Sequence, residues 1–215
     1  MKMHKPKIPS DILETGNMDN TVAGKLSEGY DIEKFYFKNS ILNRITASRA
    51  IFYKCVFDKC TFTKSNTAFV FEDVVFRDCE LSNMNFEEST FSSVEFINCN
   101  MTGINMTKGK LSDVMINECS MQYSIFSNAD IARVMVVKSN LSNSYFWEAT
   151  QKDLEFNNCD LTSVEFAGTL LKDIDFTTSY IEGLILRGHE LKGAIVNEYQ
   201  ALGLAKLLGI IIKSS

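Results

Sequence analysis

The sequence predicts an all-β protein: a quadrilateral parallel β-helix, wound as a solenoid of about eight coils and closed by a C-terminal capping α-helix. Three observations predict it. A large apolar residue stands at every fifth position, residues of like size recur at every twentieth, and proline is absent from the region that carries both periods.

The five-residue row reads Phe71, Phe76, Leu81, Phe86, Phe91, Phe96, Met101, Met106, Leu111, Ile116, Met121, Phe126, Ile131, Val136, Leu141 and Phe146, and after Gln151 it resumes through Phe156, Leu161 and Phe166 to Val196. Gln151 is the one exception in 26 positions. A helix is excluded, because a period of five drifts round a 3.6-residue turn and leaves no continuous face to bury. Two residues before each member lies a second, mostly smaller row. Every fourth member of that row matches its fellows: Cys79, Cys99, Cys119, Ser139 and Cys159 in one column, Val74, Val94, Val114, Val134 and Leu154 in another. Residues 20 apart therefore lie above one another, and one coil holds four units of five. Each unit is a short extended piece followed by a corner, and each coil pairs with the next by parallel backbone bonds at about 4.8 Å. Both prolines, Pro6 and Pro9, lie outside this region, as expected where backbone N–H groups are committed to ladders.

In chain order, residues 1–34 carry no five-residue row and read as an N-terminal arm or as a cap. The solenoid spans 35–196 and begins with Phe37, Leu42, Ala47, Phe52, Phe57 and Phe62. Cys60 and Cys79 are 19 apart instead of 20, so one residue is missing, with a register shift expected near 65–71. At the coil spacing the rod is on the order of 40 Å long. Residues 197–215 form a C-terminal helix and tail: Asn197 and Gln200 have the spacing of a capping box and Gly209 is a helix stop. Tyr199 and Leu202 are expected to face the last coil. Leu204, Leu207, Leu208, Ile210, Ile211 and Ile212 are more apolar surface than one cap requires, which points to a homodimer through the C-terminus.

Composition bounds the function. With 45% hydrophobic residues, a net charge of −5 and a pI near 5.2, the chain suits a folded domain and not a direct nucleic-acid binder, which needs surplus lysine and arginine. No run of about 18 apolar residues predicts a membrane span, and Pro6, Pro9 and Asp11 interrupt any leader-like start, so a cytoplasmic protein is expected. Cys60, Cys79, Cys99, Cys119 and Cys159 stack in one inward column, and with Phe86, Phe96, Phe126, Phe146 and Phe166 they are expected to form the core ladder. Their spacing contains no CxxC pair and no nearby histidine, so no metal and no cofactor are expected. His189 falls in an inward column near the last coil. Nucleophile-base motifs and glycine-rich phosphate loops are missing, and a filled solenoid has no cleft, which argues against an enzyme.

Charge is uneven along the chain: 35–70 is net +5, whereas 71–196 holds 19 acidic against nine basic residues. Asp78, Glu80, Glu87, Glu88, Glu95, Glu118, Glu148, Asp153, Glu155, Asp160 and Glu165 take outward positions and form the candidate partner-binding acidic faces. An acidic rod imitates DNA towards a protein with a basic DNA groove, and long-range attraction speeds the encounter. Trp147 and Tyr145 also point outward. The competing expectation is a general protein-interaction scaffold that uses Trp147 or the basic first coils.

The units C-E-L-S-N, C-N-M-T-G, S-N-L-S-N and C-D-L-T-S resemble the A-(D/N)-L-x-x consensus of the pentapeptide repeat family, and the likeness extends over nearly all of 35–196. The resemblance implies a right-handed quadrilateral β-helix. The ending, with Tyr199, Gln200, Ala201 and then Leu208, Gly209, Ile210, looks like that of the Qnr-type and MfpA-like quinolone-resistance proteins. That likeness implies a C-terminal helix joining two rods into a DNA-mimicking dimer that binds type II topoisomerases (DNA gyrase and topoisomerase IV), with quinolone protection as a further expectation. Unlike Qnr-type proteins, the chain has no long loop within 71–196.

Overall fold

The computed structural model describes residues 2–43, 45, 47–63, 67–207 and 209–213. The chain opens with β1 (Leu13–Thr15) and α1 (Met18–Ser27), then winds through β2 (Ile32–Glu33), β3 (Phe35–Lys38), β4 (Ile41–Leu42), β5 (Arg49–Tyr53), β6 (Val56–Asp58), β7 (Thr61–Phe62), β8 (Ala68–Arg77), β9 (Thr90–Ile97), β10 (Lys110–Asn117), β11 (Asp130–Val137) and β12 (Thr150–Asn157), and closes with α2 (Glu198–Leu207). Strands β8 to β12 pair in sequence order, all parallel, and from β9 onward each residue meets its counterpart one coil on: Val94 beside Val114, Val114 beside Val134, Val134 beside Leu154. The remaining sides of the square carry single bridges at the same step, such as Glu80 to Asn100 and Asn85 to Asn105. The result is a quadrilateral β-helix of about seven turns. The eighth expected coil is incomplete because Leu186, Leu191 and Val196 are only half-buried.

The corners explain the period of five. The second residue after most members of the core row has a positive φ: Asp78 at 52°, Asn83 at 56°, Glu88 at 58°, Ser93 at 52° and Asn98 at 52°. One left-handed residue bends an extended chain, so a corner at every fifth position produces four sides per coil. Asn and Asp tolerate this conformation, while Lys and Glu adopt it under strain of about 1–3 kcal/mol. The ladder holds them there: the amide of Glu88 donates to Thr107 O at 2.9 Å and that of Asn98 to Asn117 O at 2.9 Å, in the coil above.

Inside, like stacks on like. Phe57, Phe76 and Phe96 lie one above another with centroids 4.8 Å apart at each step and planes within 13° and 7° of parallel. Phe126, Phe146 and Phe166 repeat the arrangement at 4.6 and 5.1 Å. All ten expected ladder residues, the five cysteines and the five phenylalanines, are buried. The thiols behave as small hydrophobes that donate weakly to carbonyls: Cys60 to Phe37 O and Cys79 to Phe57 O, both at 3.4 Å. Burial pushes the neighbouring Cys55 thiol up to about 12, so it stays protonated. An internal void of about 10 Å³ between Leu111 and Phe156 is barely room for one water. Gln151, the exception in the apolar row, donates from its side-chain amide to the carbonyls of Leu170 and Lys172 at 3.1 and 3.2 Å, where the sheet ends with β12.

Pairing steps by 20 from Phe37 to Phe57 and by 19 from Phe57 to Phe76. Ile41 still pairs at the full step with Thr61, whereas Arg49 pairs at the shorter one with Ala68. The short coil thus loses its residue between Phe62 and Ala68, a stretch whose positions 64–66 lie outside the described residues.

Both ends depart from the repeat. Residues before β2 supply an arm and a cap together. Helix α1, started by the Asn17 side chain accepting from Asn20 N at 3.2 Å, buries Met18 and Val22 against the base of the rod. Residues 2–9 instead lie along its side, with His4 N donating to Asp113 Oδ1 at 3.0 Å and Lys7 N to Asp73 Oδ1 at 3.1 Å. At the other end, a 3₁₀ turn over His189–Leu191 shifts the inward position by one residue. His189 is exposed, contrary to its column, and Glu190 is buried in its place. Burial alone would raise the Glu190 carboxyl, but amides of Gly168 and Arg187 at 3.1 and 3.0 Å hold it below the usual carboxylate range.

Candidate interaction surface

The acidic residues chosen by outward position do not converge on one face. Glu95 and Glu155 belong to the column through Val75, Met115 and Met135; Glu80 and Asp160 to that through Asn100, Ser120 and Asn140; Glu165 to that through Asn105, Ile125 and Tyr145. Asp78, Glu88, Glu118, Glu148 and Asp153 occupy corners, as their positive φ values show. Glu87 stands between a core residue and a corner. Acid is therefore spread round the rod.

Stacking of successive coils also gives many of these acids a partner one coil on. Lys108 Nζ lies 3.2 Å from Glu88 and Lys138 Nζ 3.3 Å from Glu118. Asn98 donates to Asp78 at 2.7 Å and Asn100 to Glu80 at 2.8 Å. The Glu80 carboxyl is held below its usual range by bonds from Ser82 and Asn100, which outweigh the opposing and largest single effect, its burial. Asp160 accepts the Thr162 amide at 3.0 Å. Glu165 accepts the indole N–H of Trp147 at 2.9 Å, and Trp147 meets the half-buried Tyr145 edge-on at 5.0 Å, so the exposed indole is anchored. Among the described residues, Glu87, Glu95 and Glu148 make no ion pair.

At the C-terminal end, Asn197 and Gln200 cap α2 reciprocally, with both amide-to-side-chain bonds at 3.0 Å. The Gln200 side chain also donates to Phe176 O at 2.8 Å and Ser179 O at 2.9 Å, which locks the rotation of α2 about its axis. Leu204, one helical turn on, shares that face and packs on the core, although it was expected at the interface. Tyr199 and Leu202, expected against the last coil, are turned out at 85% and 49% exposure. Leu207, Ile210, Ile211 and Ile212 are exposed, and Leu208 lies outside the described residues. No described residue of α2 is fully buried, and an open cleft of about 960 Å³ separates the helix from the last coil between Tyr180 and Leu207.

Sequence reasoning missed Asp113. Asp113 sits at an outward corner, yet only 4% of it is exposed, because residues 2–9 cover it and Arg133 grips it through two bonds of 2.9 and 2.6 Å. The signal was present as an acid followed one coil later by a base, the spacing that also joins Glu88 to Lys108 and Glu118 to Lys138. Among the described residues no group of His, Cys, Asp and Glu is placed to hold a metal ion, and no helix is long and apolar enough to cross a membrane.

Coils of four five-residue units, each bonded to the next round a filled core, define a β-solenoid repeat protein. Residues 69–146 match the pentapeptide repeat region and 139–177 the pentapeptide repeats, together a little over half of the chain, and the chain belongs to the pentapeptide repeat family. Among curated proteins no significant match was found. Solved structures similar to it include QnrB1, described as a plasmid-mediated fluoroquinolone resistance protein (17% identity, 93% of this chain and 97% of that one, TM-score 0.43). Another is HetL of the cyanobacterium Nostoc sp. strain PCC 7120, a pentapeptide repeat protein involved in heterocyst differentiation regulation (13% identity, 90% and 92%, TM-score 0.37). A third is Rfr23 of the cyanobacterium Cyanothece 51142 (14% identity, 48% and 64%, TM-score 0.34). None of these likenesses bears on what this chain binds.

Proposed function

We propose that the protein is a non-catalytic, dimeric rod of the cytoplasm that binds a type II topoisomerase, DNA gyrase or topoisomerase IV, as a DNA mimic, and protects it from quinolones. The observation that carries the reading is the pairing of an acidic rod, net −10 over 71–196, with an end left apolar and open at Tyr199, Leu202, Leu207, Ile210, Ile211 and Ile212. Two rods joined there by a two-fold axis extend the acidic surface while covering the end. The Tyr199-Gln200-Ala201 ending, similar to that of Qnr-type proteins, supports the same arrangement. The charge that acts at a distance comes from acids without ion pairs, of which Glu87 and Glu95 are the natural targets.

The test is gyrase supercoiling with the protein titrated in, with and without a fluoroquinolone. Inhibition or drug protection is expected at about micromolar protein, a typical middling affinity, and the Glu87→Lys/Glu95→Lys variant is expected to lose it. An identical response from the variant removes charge mimicry; no response in either arm removes the topoisomerase. The second reading, a scaffold for another protein, rests on Trp147, 44% exposed beside a shallow cleft bounded by Glu148 and Arg187. It predicts a partner lost with Trp147→Ala and kept with the charge reversals.

A further inference from the structure

We propose that residues 2–9 are a displaceable strap, and that the solenoid corner beneath them, from Asp73 to Asp113, is a docking ridge for an extended, lysine-rich segment of a partner protein. The ridge is already seen with a ligand of this kind on it. Asp73 and Asp113 stand two coils apart at the same corner, about 9.6 Å at the coil spacing. Their bonds go to amides three positions apart, Lys7 N and His4 N. Three extended residues span at most about 10 Å. The strap therefore runs fully extended along the rod axis, in register with the coils.

What the ridge reads is general. Both bonds run from main-chain amides to carboxylates, so any extended segment can supply them. Along the strap Lys2, His4, Lys5 and Lys7 are exposed while Met3, Pro6, Ile8 and Pro9 are half-buried. Its positive charge lies over a corner and flanks that carry six acids, Glu72, Asp73, Glu95, Asp113, Asp153 and Glu155, against three bases, Lys54, Arg133 and Lys152. Recognition thus combines carboxylate-to-amide bonds, shallow apolar contact and opposite charge.

The strap is also held by few bonds. Pro6 and Pro9 have no N–H, and the first ladder bond of the chain is Leu13 N to Lys34 O at 2.9 Å, beyond the strap. Among the described residues its polar attachments are the two amide bonds and a 3.5 Å contact of His4 Nδ1 with Asp113. Segments with so few buried contacts open at low free energy while the core stays closed. A partner's basic segment, or the strap itself, occupies the ridge, and the strap lowers the apparent affinity of any competitor. The inference stands independently of the topoisomerase reading, because its probe is a peptide.

The test uses the full chain labelled with a fluorophore at its N-terminal amine and titrated with a short oligolysine peptide. Displacement is expected: label anisotropy falls towards that of a free segment as oligolysine binds, and the Asp73→Asn/Asp113→Asn variant starts with the label mobile and binds the peptide weakly. A variant lacking residues 2–9 but keeping β1 and α1 is expected to bind oligolysine about tenfold more tightly, as for a ridge open about a tenth of the time in the full chain. Oligolysine that binds with no change in anisotropy, or equally to both aspartate-containing forms, overturns the proposal, and so does an absence of binding. Should the shortened variant fail to fold, the anisotropy of the full chain decides alone.

Discussion

Phe96 shows what one residue of the repeat contributes. Its ring is fully buried and stacks 4.8 Å above Phe76, so Phe96→Ala removes a whole layer of contact and leaves a cavity held open by coils on both sides. The variant is expected to lose about 3–5 kcal/mol in urea unfolding; a loss under about 1 kcal/mol would mean that neighbouring rings close the gap. Asp113 makes a prediction of a different kind. Its bonds from Arg133, aided by the His4 amide and opposed by burial, lower its carboxyl from 3.8 to about 2. A depressed folded value stabilises the protein above the ordinary carboxylate range, and that contribution is lost as pH falls from about 4 towards 2. The unfolding midpoint followed across that window should drop more steeply in the wild type than in Arg133→Gln; parallel curves would assign the acid sensitivity to other carboxylates. Individual core positions such as Phe96 and the cysteine column are legible in the sequence, because stacking allows one shape per place. Glu190 is not, since its burial depends on a local 3₁₀ turn, with two amides held against its carboxylate.

At the scale of elements, α2 was legible as a helix but not in its orientation. Periodicity assigns Tyr199 and Leu202 to the rod; the structure turns them out, because Gln200 commits its side chain to Phe176 O and Ser179 O and so sets which face packs. Gln200→Ala removes half of the capping box and leaves two carbonyls without that donor. It should cost on the order of 1 kcal/mol locally and free α2 from the last coil, seen as faster amide exchange in 198–207 and, if the rods join there, as a lower mass by light scattering. Unchanged exchange would show that Leu204 alone holds the helix. Helix α1 was missed because its apolar side is narrow, a single row of Met18, Val22 and Leu26 one turn apart. The Asn17 cap was its one clear mark.

For the whole molecule, the period in the chain and the stacking in space are one fact, so the solenoid could be read almost coil by coil, down to the coil that is one residue short. The surface was harder to read. An acid looks available along the chain, but a lysine or asparagine one coil later arrives directly above it, as Lys108 does for Glu88, and a segment from the far end of the sequence can lie across it. The strap turns this into a matter of timing. His4 is bound by Asp113, 109 positions further along. During synthesis residues 2–9 emerge before Asp113 and have no place to lie until several coils have been laid down, each templated by the one before it. Newborn chains therefore expose the ridge and the basic segment separately, and residues 2–9 settle only after the coils they cover.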